Sequence, residues 1–472
     1  MKIVLTTSPA VTDRHGVKSL PPLQLGYVAA GIKDVPGTTL KILDSYGEDL
    51  NTEQAVQRAL ELSPDVLGIS STSFCFTDGL DFIRAVKRAK PDVMTVMGGY
   101  HATMFDNLLL RDVQELDAVI RGEGDESFPE LCRRLLNGEP TAGIPGLSYR
   151  ANGDVVRGIP QQMEDLDSLP FPDRSLFEFK DYFEQFGRFE LPAVPPAANV
   201  ITSRSCPYHC TFCPKLFPEW RYRMRSARNV FDELVELSRK GIEVAFFQDE
   251  NFSFDIPRVN ELCRLIIEHK LPMRFLFQGT IHHLPPETWG LLHKAGFDLL
   301  FVGIETGSDA QLRRYRKAAT NKGLTQGVRN AKKAHMLVVG FFIHGGPGET
   351  LEDCEHTHKF IREVGPHACG ASELSVQPGT ILWDQLVGND TPPDLDATYP
   401  RRIHEFPGQH DEKEISRRRR SFGKALADSW RSVGRIAEIL DLLIYNKTCR
   451  HIFKHLITRP GALLQLIRGG PK

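Results

Sequence analysis

Three cysteines crowd into eight residues of the segment Ser205-Cys206-Pro207-Tyr208-His209-Cys210-Thr211-Phe212-Cys213. Thiolates spaced four and then three residues apart can converge on one metal centre. Soft sulfur ligands of this kind hold iron–sulfur clusters, usually four at a time. Three local ligands leave one iron open to an outside ligand. An open iron can chelate the amino and carboxylate groups of a methionine moiety and pass one electron into the adjacent sulfonium. The protein then has to position the reactants and exclude water. A zinc knot with His209 as fourth ligand is the competing assignment. Zinc motifs more often show two separated ligand pairs, and the chain has no second Cys-x-x-Cys. Cys75, Cys132, Cys263, Cys354, Cys369 and Cys449 are scattered and read as small buried hydrophobes.

The elements around this loop follow from hydrophobic patterning. Residues 1–143 alternate apolar runs (Ile3–Leu5, Leu40–Leu43, Val66–Ile69, Val93–Met97, Ala118–Ile120) with helix-compatible stretches such as Glu53–Leu62 and Gly79–Lys90. This alternation predicts an α/β domain, a Rossmann-like doubly wound parallel sheet. Residues 144–198 read as a hairpin turning at Asn152-Gly153, then a linker rich in proline and aromatics. Residues 199–379 carry six further strand-like runs: Asn199–Thr202, Val244–Phe247, Met273–Phe277, Leu299–Ile304, Val338–Ile343 and Ser372–Val376. Six βα units predict a partial (β/α)6 barrel of the TIM type, with its chemistry at the carboxyl ends of the strands. The cysteine loop follows the first of them. Residues 380–472 read as a basic, mostly helical region, Glu414–Arg468 being helical with a break at Pro460.

The loop, with Thr202-Ser203-Arg204-Ser205 before it and Phe212 before the third cysteine, resembles the radical SAM superfamily. That likeness implies a 4Fe-4S cluster on Cys206, Cys210 and Cys213, and reductive cleavage of S-adenosylmethionine (SAM). Phe247-Gln248-Asp249-Glu250-Asn251-Phe252 resembles the acidic segment that receives the methionine amino group, which points to Asp249 and Glu250. Gly303-Ile304-Glu305-Thr306-Gly307-Ser308 resembles the family's Gly-Ile-Glu-Ser-Gly segment and brings Glu305 to SAM. Phe342–Thr350 resembles the glycine-rich turn near the adenine, with Gly345 and Gly346 the close contacts. Each segment ends a strand, where a carboxylate is free to bind an ammonium or ribose hydroxyls and glycine admits close approach. Related sequences often carry an arginine after the third strand; this chain has Gln278-Gly279-Thr280, so the Gln278 amide is expected at the SAM carboxylate.

Residues 1–140 resemble the cobalamin-binding domain that precedes the barrel in one branch of that superfamily. The matching pieces are Pro21–Tyr27, Gly68–Ser73, Gly98–Thr103 and Arg121–Glu126. The resemblance implies corrinoid contacts at Leu23, at Ser70, Thr72 and Ser73, at Gly98, Gly99 and His101, and at Gly122, Glu123 and Gly124. These positions fall just after or between strands, where a flat cofactor with a nucleotide tail would lie. The Asp-x-His-x-x-Gly motif that supplies an axial histidine is absent, and Asp13-Arg14-His15-Gly16 lacks its spacing, so the lower cobalt face is expected to be free of histidine. A bare Rossmann-like domain without corrinoid stays open as an alternative, and the absence of a Gly-x-Gly-x-x-Gly opening the first helix disfavours a dinucleotide.

At 41% hydrophobic and 25% charged, the chain is ordinary for a globular protein. Its net charge of -2 is uneven: from Lys413 to Lys472, 14 Lys+Arg against 4 Asp+Glu make the tail +10 and the rest -12. Such a tail suits an anionic surface, or docking on the acidic body. Arg417–Arg420 reads as a solvated face. Ile436–Tyr445 and Ile452–Ile467, interleaved with Arg450, Lys454, Arg459 and Arg468, allow peripheral contact with a membrane or a lipid-like substrate; a helical cap on the barrel is the plainer reading. No apolar run approaches the ~20 residues of a membrane span, so the expected location is the cytoplasm.

The resemblance implies a cobalamin-dependent radical SAM enzyme. Methylation of an unactivated carbon in a small-molecule or lipid-like substrate is the leading expectation. Ring closure, oxidation or rearrangement without methyl transfer, as in the porphyrin ring-forming branch, is the alternative. The expected partner is an electron donor such as flavodoxin or ferredoxin, with no nucleic acid. RNA methylthiotransferases carry three further amino-terminal cluster cysteines, where this chain has only Cys75 and Cys132. A non-catalytic metal or corrinoid carrier would leave Glu305 without a purpose.

Overall fold

A computed structural model describes residues 1–9, 21–45, 47–177, 196–388, 392, 394–430, 433–447 and 449. Five β-rich runs become parallel strands: β1 (Lys2–Thr7), β2 (Thr39–Leu43), β3 (Val66–Ser70), β4 (Met94–Gly98) and β5 (Ala118–Ile120). Helices α1 (Leu23–Ile32), α2 (Thr52–Leu62), α3 (Phe76–Ala89) and α4 (Tyr100–Asp112) connect them, and α5 (Ser127–Asn137) follows β5. The order β2-β1-β3-β4-β5 reverses direction between β1 and β3, the place where doubly wound sheets leave a crevice. Alternate residues of each strand feed separate cores, as a sheet covered on both faces requires. Val4, Phe76, Phe82 and Leu109 close one face; Leu5, Ala29, Phe128 and Leu131 close the other.

The expected hairpin is β6 (Leu147–Ala151) and β7 (Asp154–Val156). Asn152 at φ 53° and Gly153 at φ 87° supply the left-handed pair that a two-residue turn requires. It pairs antiparallel with β5 and extends the sheet to seven strands on that edge, so the sheet is mixed.

The second sheet runs from β8 (Ala197–Val200), past a two-stranded ribbon of β9 (Ser203–Arg204) with β10 (Arg223–Met224), through β11 (Val244–Phe247), β12 (Arg274–Gln278), β13 (Phe297–Glu305), β14 (Leu337–His344) and β15 (Ala368–Glu373). All six are parallel and adjacent in chain order, an open barrel wall. Helices α6 (Ala227–Arg239), α7 (Ile256–Glu268), α8 (Pro286–Ala295), α9 (Asp309–Arg314), α10 (Asn321–Lys333) and α11 (Leu351–Glu363) intervene. A phenylalanine-rich core of Phe247, Phe252, Phe275, Phe277 and Phe297 lies between this wall and its helices.

The sixth strand lies earlier than its sequence signal. Ala368–Glu373 is made of small residues with little β character, because the Phe341 ring of the neighbouring strand lies against Gly370. Ser375–Val376, expected to complete it, is instead β16 and pairs antiparallel with β17 (Arg401–Arg402), on either side of α12 (Ile381–Leu386).

Beyond these, α13 (Glu412–Trp430) and α14 (Val433–Tyr445) dock on the outside of the wall, the helical-cap arrangement. Phe422 packs on Phe342 with ring centres 5.3 Å apart, and Glu438 pairs with Lys332 at 2.8 Å. The four-arginine run is not wholly solvated: Arg418 is 5% exposed and bound to Glu349 and Glu414, because it faces inward from α13. Among the described residues no helix is long and apolar enough to cross a membrane. Asp13–Gly16, the tail residues Arg450, Lys454, Arg459 and Arg468, the segment Ile452–Ile467 and the break at Pro460 lie outside the described residues.

Candidate cofactor sites

The carboxyl edges of the two sheets face each other across a cavity of about 440 Å3. One wall is Leu5, Ser70, Gly98, Gly99 and the Gly122-Glu123-Gly124 turn; the other is Ser203–Ser205, Pro214–Phe217, Trp220, Gln248 and Glu250. Arg204 and Arg223 sit opposite each other on the β9–β10 ribbon and clamp the walls together. Arg204 donates to both oxygens of Asp125 at 2.7 and 2.8 Å, and Arg223 to both oxygens of Glu123 at 3.0 and 2.8 Å.

Ser205, at φ 64°, turns the chain out of the ribbon into the cysteine loop. The loop is pinned on both sides. The Thr211 N–H donates to the Tyr315 carbonyl at 2.9 Å, and the Thr211 carbonyl accepts from the Leu382 N–H at 2.9 Å. Burial pushes the Cys206 and Cys210 thiols up, opposed by Lys317 at Cys210 and by Lys215 at both. Cys213 exposes more of its surface, yet the walls around it still push its thiol up to about 12. Among the described residues no three His, Cys, Asp or Glu side chains converge closely enough for a single ion. Three thiols carried by one loop match the donor set of an iron–sulfur cluster with one iron left to an outside ligand.

The two neighbouring acids part company. Along β11 and its extension, Phe246, Gln248 and Glu250 face the inside of the wall, whereas Ala245, Phe247 and Asp249 face the helices, the two-residue period of a strand. Glu250 therefore opens on the cavity, where burial pushes its carboxyl up against the pull of Lys215. Asp249 is 1% exposed, and its Oδ1 accepts from the Thr202 N–H and hydroxyl, each at 2.9 Å, and from Ser203. It braces the entrance to the cysteine loop and does not reach the cavity. The Gln278 amide is occupied as well, donating to the Asp249 carbonyl.

Glu305 ends β13 at φ 65° with its Oε1 held by Lys317 Nζ at 2.8 Å. Gly345, at φ 82°, and Gly346 make their close approaches to protein: a side chain on either would strike Ile415, or the Tyr315 hydroxyl and Gln311. Phe212 stacks edge-on to Tyr315 at 5.0 Å.

On the amino-terminal side, Ser70, Gly98, Gly99, Gly122, Glu123 and Gly124 line the cavity. A side chain on Gly98 would meet nothing closer than 3.8 Å, so its absence leaves open space over the sheet edge, a cradle suited to a flat ligand. Glu123 lines the wall with its carboxylate committed to Arg223 and the Met163 N–H. Leu23, Thr72, Ser73 and His101 do not line the cavity. Leu23 is buried at the start of α1, leaving Gln24 and Leu25 at the wall, and Thr72 bonds Cys75. His101 is fully buried: Nδ1 meets Ser73 at 3.2 Å, Nε2 meets Thr398 at 3.2 Å, and its ring stacks on Phe76. Both nitrogens are occupied, so it has none to offer cobalt.

Comparison with known proteins agrees with this two-walled plan. A family model for the radical SAM superfamily matches residues 200–361, and one for the B12 binding domain matches residues 15–132. An uncharacterized methyltransferase of Pyrococcus horikoshii is 30% identical over 395 residues, 83% of this chain and 84% of that protein. The chain belongs to the cobalamin-dependent radical SAM family.

Another relative of this radical SAM enzyme is an anaerobic magnesium-protoporphyrin IX monomethyl ester cyclase of Rubrivivax gelatinosus, 26% identical over 78% of this chain and 66% of that protein. The solved structure of the radical S-adenosylmethionine methyltransferase TsrM from Kitasatospora setae, with cobalamin and a 4Fe-4S cluster bound, shares the fold. Its TM-score is 0.66 at 20% identity, covering 83% of this chain and 79% of that one. Sequence reasoning on this radical SAM enzyme passed over Tyr100, Lys215, Trp220 and Lys317. Tyr100 lines the cavity and donates from its hydroxyl to the Pro378 carbonyl at 3.1 Å; burial, with Cys213 and Glu250 nearby, pushes that hydroxyl up. Lys215 lies two residues beyond Cys213 and could have been suspected on proximity; Trp220 and Lys317 carry no local signal.

Proposed function

We propose that this chain reductively cleaves SAM at a 4Fe-4S cluster on Cys206, Cys210 and Cys213 and, with a corrinoid in the two-walled cavity, methylates an unactivated carbon of a small-molecule or lipid-like substrate. The observation that carries the proposal is that Ser205 and Lys215, at the two ends of the cysteine loop, share one cavity with Ser70, Gly98 and Gly124 of the doubly wound sheet. When bound, the cluster supplies one electron to the SAM sulfonium and the corrinoid carries a methyl group.

The chain's own residues do the rest. Glu250 offers a carboxylate to the methionine ammonium, and Glu305, two strands along the wall at the end of β13, would offer one to the ribose hydroxyls. Gln278 holds the Asp249 backbone in place, and Asp249 in turn fixes Thr202 and Ser203 at the mouth of the loop. Gly98 and Gly124, with no atom closer than 3.7 Å to where a side chain would stand, admit a flat ligand, while Gly122 makes room for Trp220 and Pro160. Phe217 and Trp220, with ring centres 4.3 Å apart, cover it from the barrel side and exclude water. A low-potential donor such as flavodoxin or ferredoxin would deliver the electron.

The test is anaerobic purification with cobalamin supplied, followed by iron, sulfide and cobalt analysis and assay of 5′-deoxyadenosine. Cys210→Ala should abolish 5′-deoxyadenosine formation; surviving turnover would refute the cluster assignment. SAM labelled in its methyl group separates methylation from ring closure: label in the product supports methyl transfer, and a modified but unlabelled product replaces it with the cyclase-like reading.

A further inference from the structure

Tyr208 and His209 lie between Cys206 and Cys210, yet neither lines the cavity, and His209 is exposed. The Tyr208 ring meets rings from two other elements. Phe254, in the segment before α7, approaches it edge-on with ring centres 6.0 Å apart, and His282, after β12, stands at 6.2 Å. Tyr222, just before β10, closes another side of Phe254 at 5.1 Å and is anchored through its hydroxyl, which donates to the Asn251 carbonyl at 3.2 Å. Phe254 itself is 37% exposed. A lone exposed ring is ordinary. This one is a single ring contact away from the chain that joins two of the cluster cysteines.

Cations border this aromatic step. The turn after α9 is bonded to the cysteine loop, because Thr211 donates from its N–H to the Tyr315 carbonyl at 2.9 Å and from its hydroxyl to the Arg314 carbonyl at 3.5 Å. Arg314 and Lys317 of that turn are engaged, with Asp353 at 3.1 Å and Glu305 at 2.8 Å. Arg313 and Arg316 are exposed and, among the described residues, form no ion pair. Helix α10 then begins beside His282: a side chain on Gly323 would stand 3.2 Å from the His282 Cβ. Lys322, one residue earlier, is likewise exposed and, among the described residues, unpaired. The acids of these segments, Asp255 and Asp309, are bonded to the starts of α7 and α10, accepting from the Arg258 N–H at 2.8 Å and the Asn321 N–H at 2.6 Å.

We propose that this face, with Tyr208, Phe254 and His282 at its centre and Arg313, Arg316 and Lys322 on its rim, is where a small acidic redox protein docks to deliver one electron to the iron–sulfur site. The inference rests on the cluster assignment given above. An apolar centre inside a polar rim is the usual anatomy of a protein interface, and redox encounters use small ones. Rim charges of one sign steer a partner of the other and set its rate of arrival, an effect that salt screens. On docking, the donor loses one electron and the cluster gains one; no bond is made or broken. None of the six residues lines the cavity, so the donor does not compete with what the cavity holds.

The experiment uses anaerobically reconstituted full-length protein and two reductants: flavodoxin hydroquinone, an acidic one-electron protein, and photoreduced deazariboflavin, a small neutral one. Stopped-flow absorbance follows bleaching of the cluster, and calorimetry at low salt reads the affinity for oxidised flavodoxin. Arg316→Glu combined with Lys322→Glu should weaken flavodoxin binding and slow its reduction of the site about tenfold. Reduction by deazariboflavin should not change. The same reversal at Lys41 and Arg88, exposed on β2 and α3, should alter neither reading. Added salt should slow the reduction of the unaltered protein by flavodoxin, a reading that needs no variant. Unchanged binding and rate in the reversal variant, an equal loss with deazariboflavin or in the Lys41 and Arg88 control, or indifference of the unaltered protein to salt overturns the proposal. Failure of the unaltered protein to hold iron and sulfide refutes the cluster assignment itself, which metal analysis reads separately.

Discussion

His101 lies between Phe76 and Phe105, with Ser73 and Thr398 at its two nitrogens, and burial pulls its pKa down to about 3. The unfolded chain would protonate it near the ordinary histidine value of about 6.5. Above that pH both states are neutral. Between roughly 6.5 and 3 only the unfolded state takes the proton, so stability falls with falling pH by up to about 1.4 kcal/mol per unit. Denaturant unfolding of His101→Asn against the unaltered chain should show the stability gap narrowing from pH 7 to pH 5; a constant gap would refute the neutral, buried histidine. The type of His101 suggested a cofactor contact, but what it touches depends on Thr398, far along the chain. Asp249 and Glu250 teach a different lesson. Both were legible as acids ending a strand, and the strand period already divides them, since Asp249 shares its face with Phe247 and Glu250 shares its face with Phe246. Lys317 was illegible because its pairing with Glu305 depends on a left-handed turn at Arg316 that no residue type announces.

Elements position these side chains, and the glycine-rich turn after β14 shows how. Gly345 presses on Ile415 of α13, its N–H donates to Glu349 at 2.8 Å, and Glu349 is held by Arg418 of the same helix. The turn is thus shaped from behind by a helix contributed by the basic region. Gly345→Ala forces a side chain into a left-handed backbone, at about 1–2 kcal/mol, and into Ile415 as well. Its denaturation midpoint should fall, with α13 becoming the first segment to lose amide protection in hydrogen exchange; protection lost evenly along the chain would contradict this coupling. The strands were mostly readable because apolar runs alternate with helical periods. The sixth was not, since Ala368–Glu373 gains its strand conformation from pairing with β14 rather than from its own composition.

At the scale of the molecule, two modules meet through the β9–β10 ribbon. Their separate folds were legible from strand–helix alternation; their mode of docking was not, because Glu123 read as a ligand contact until its arginine partner came into view. Arg223→Ala would take two short donors from Glu123, whose side chain is 16% exposed, and leave it Arg204 at 3.4 Å and the Met163 N–H, so the loss should fall below the ~3–5 kcal/mol of a wholly unpaired buried charge. Limited proteolysis should then cut faster between the modules, while Arg223→Lys recovers only part of the resistance because lysine lacks the two-pronged donor; an unchanged digestion rate would show that the clamp carries no load. Since both acids at the rim are already bonded across the seam, a bulky guest that must part the halves works against both two-pronged pairs. Provision during synthesis, before the halves have shut on one another, should therefore fill the enzyme more completely than soaking the finished protein.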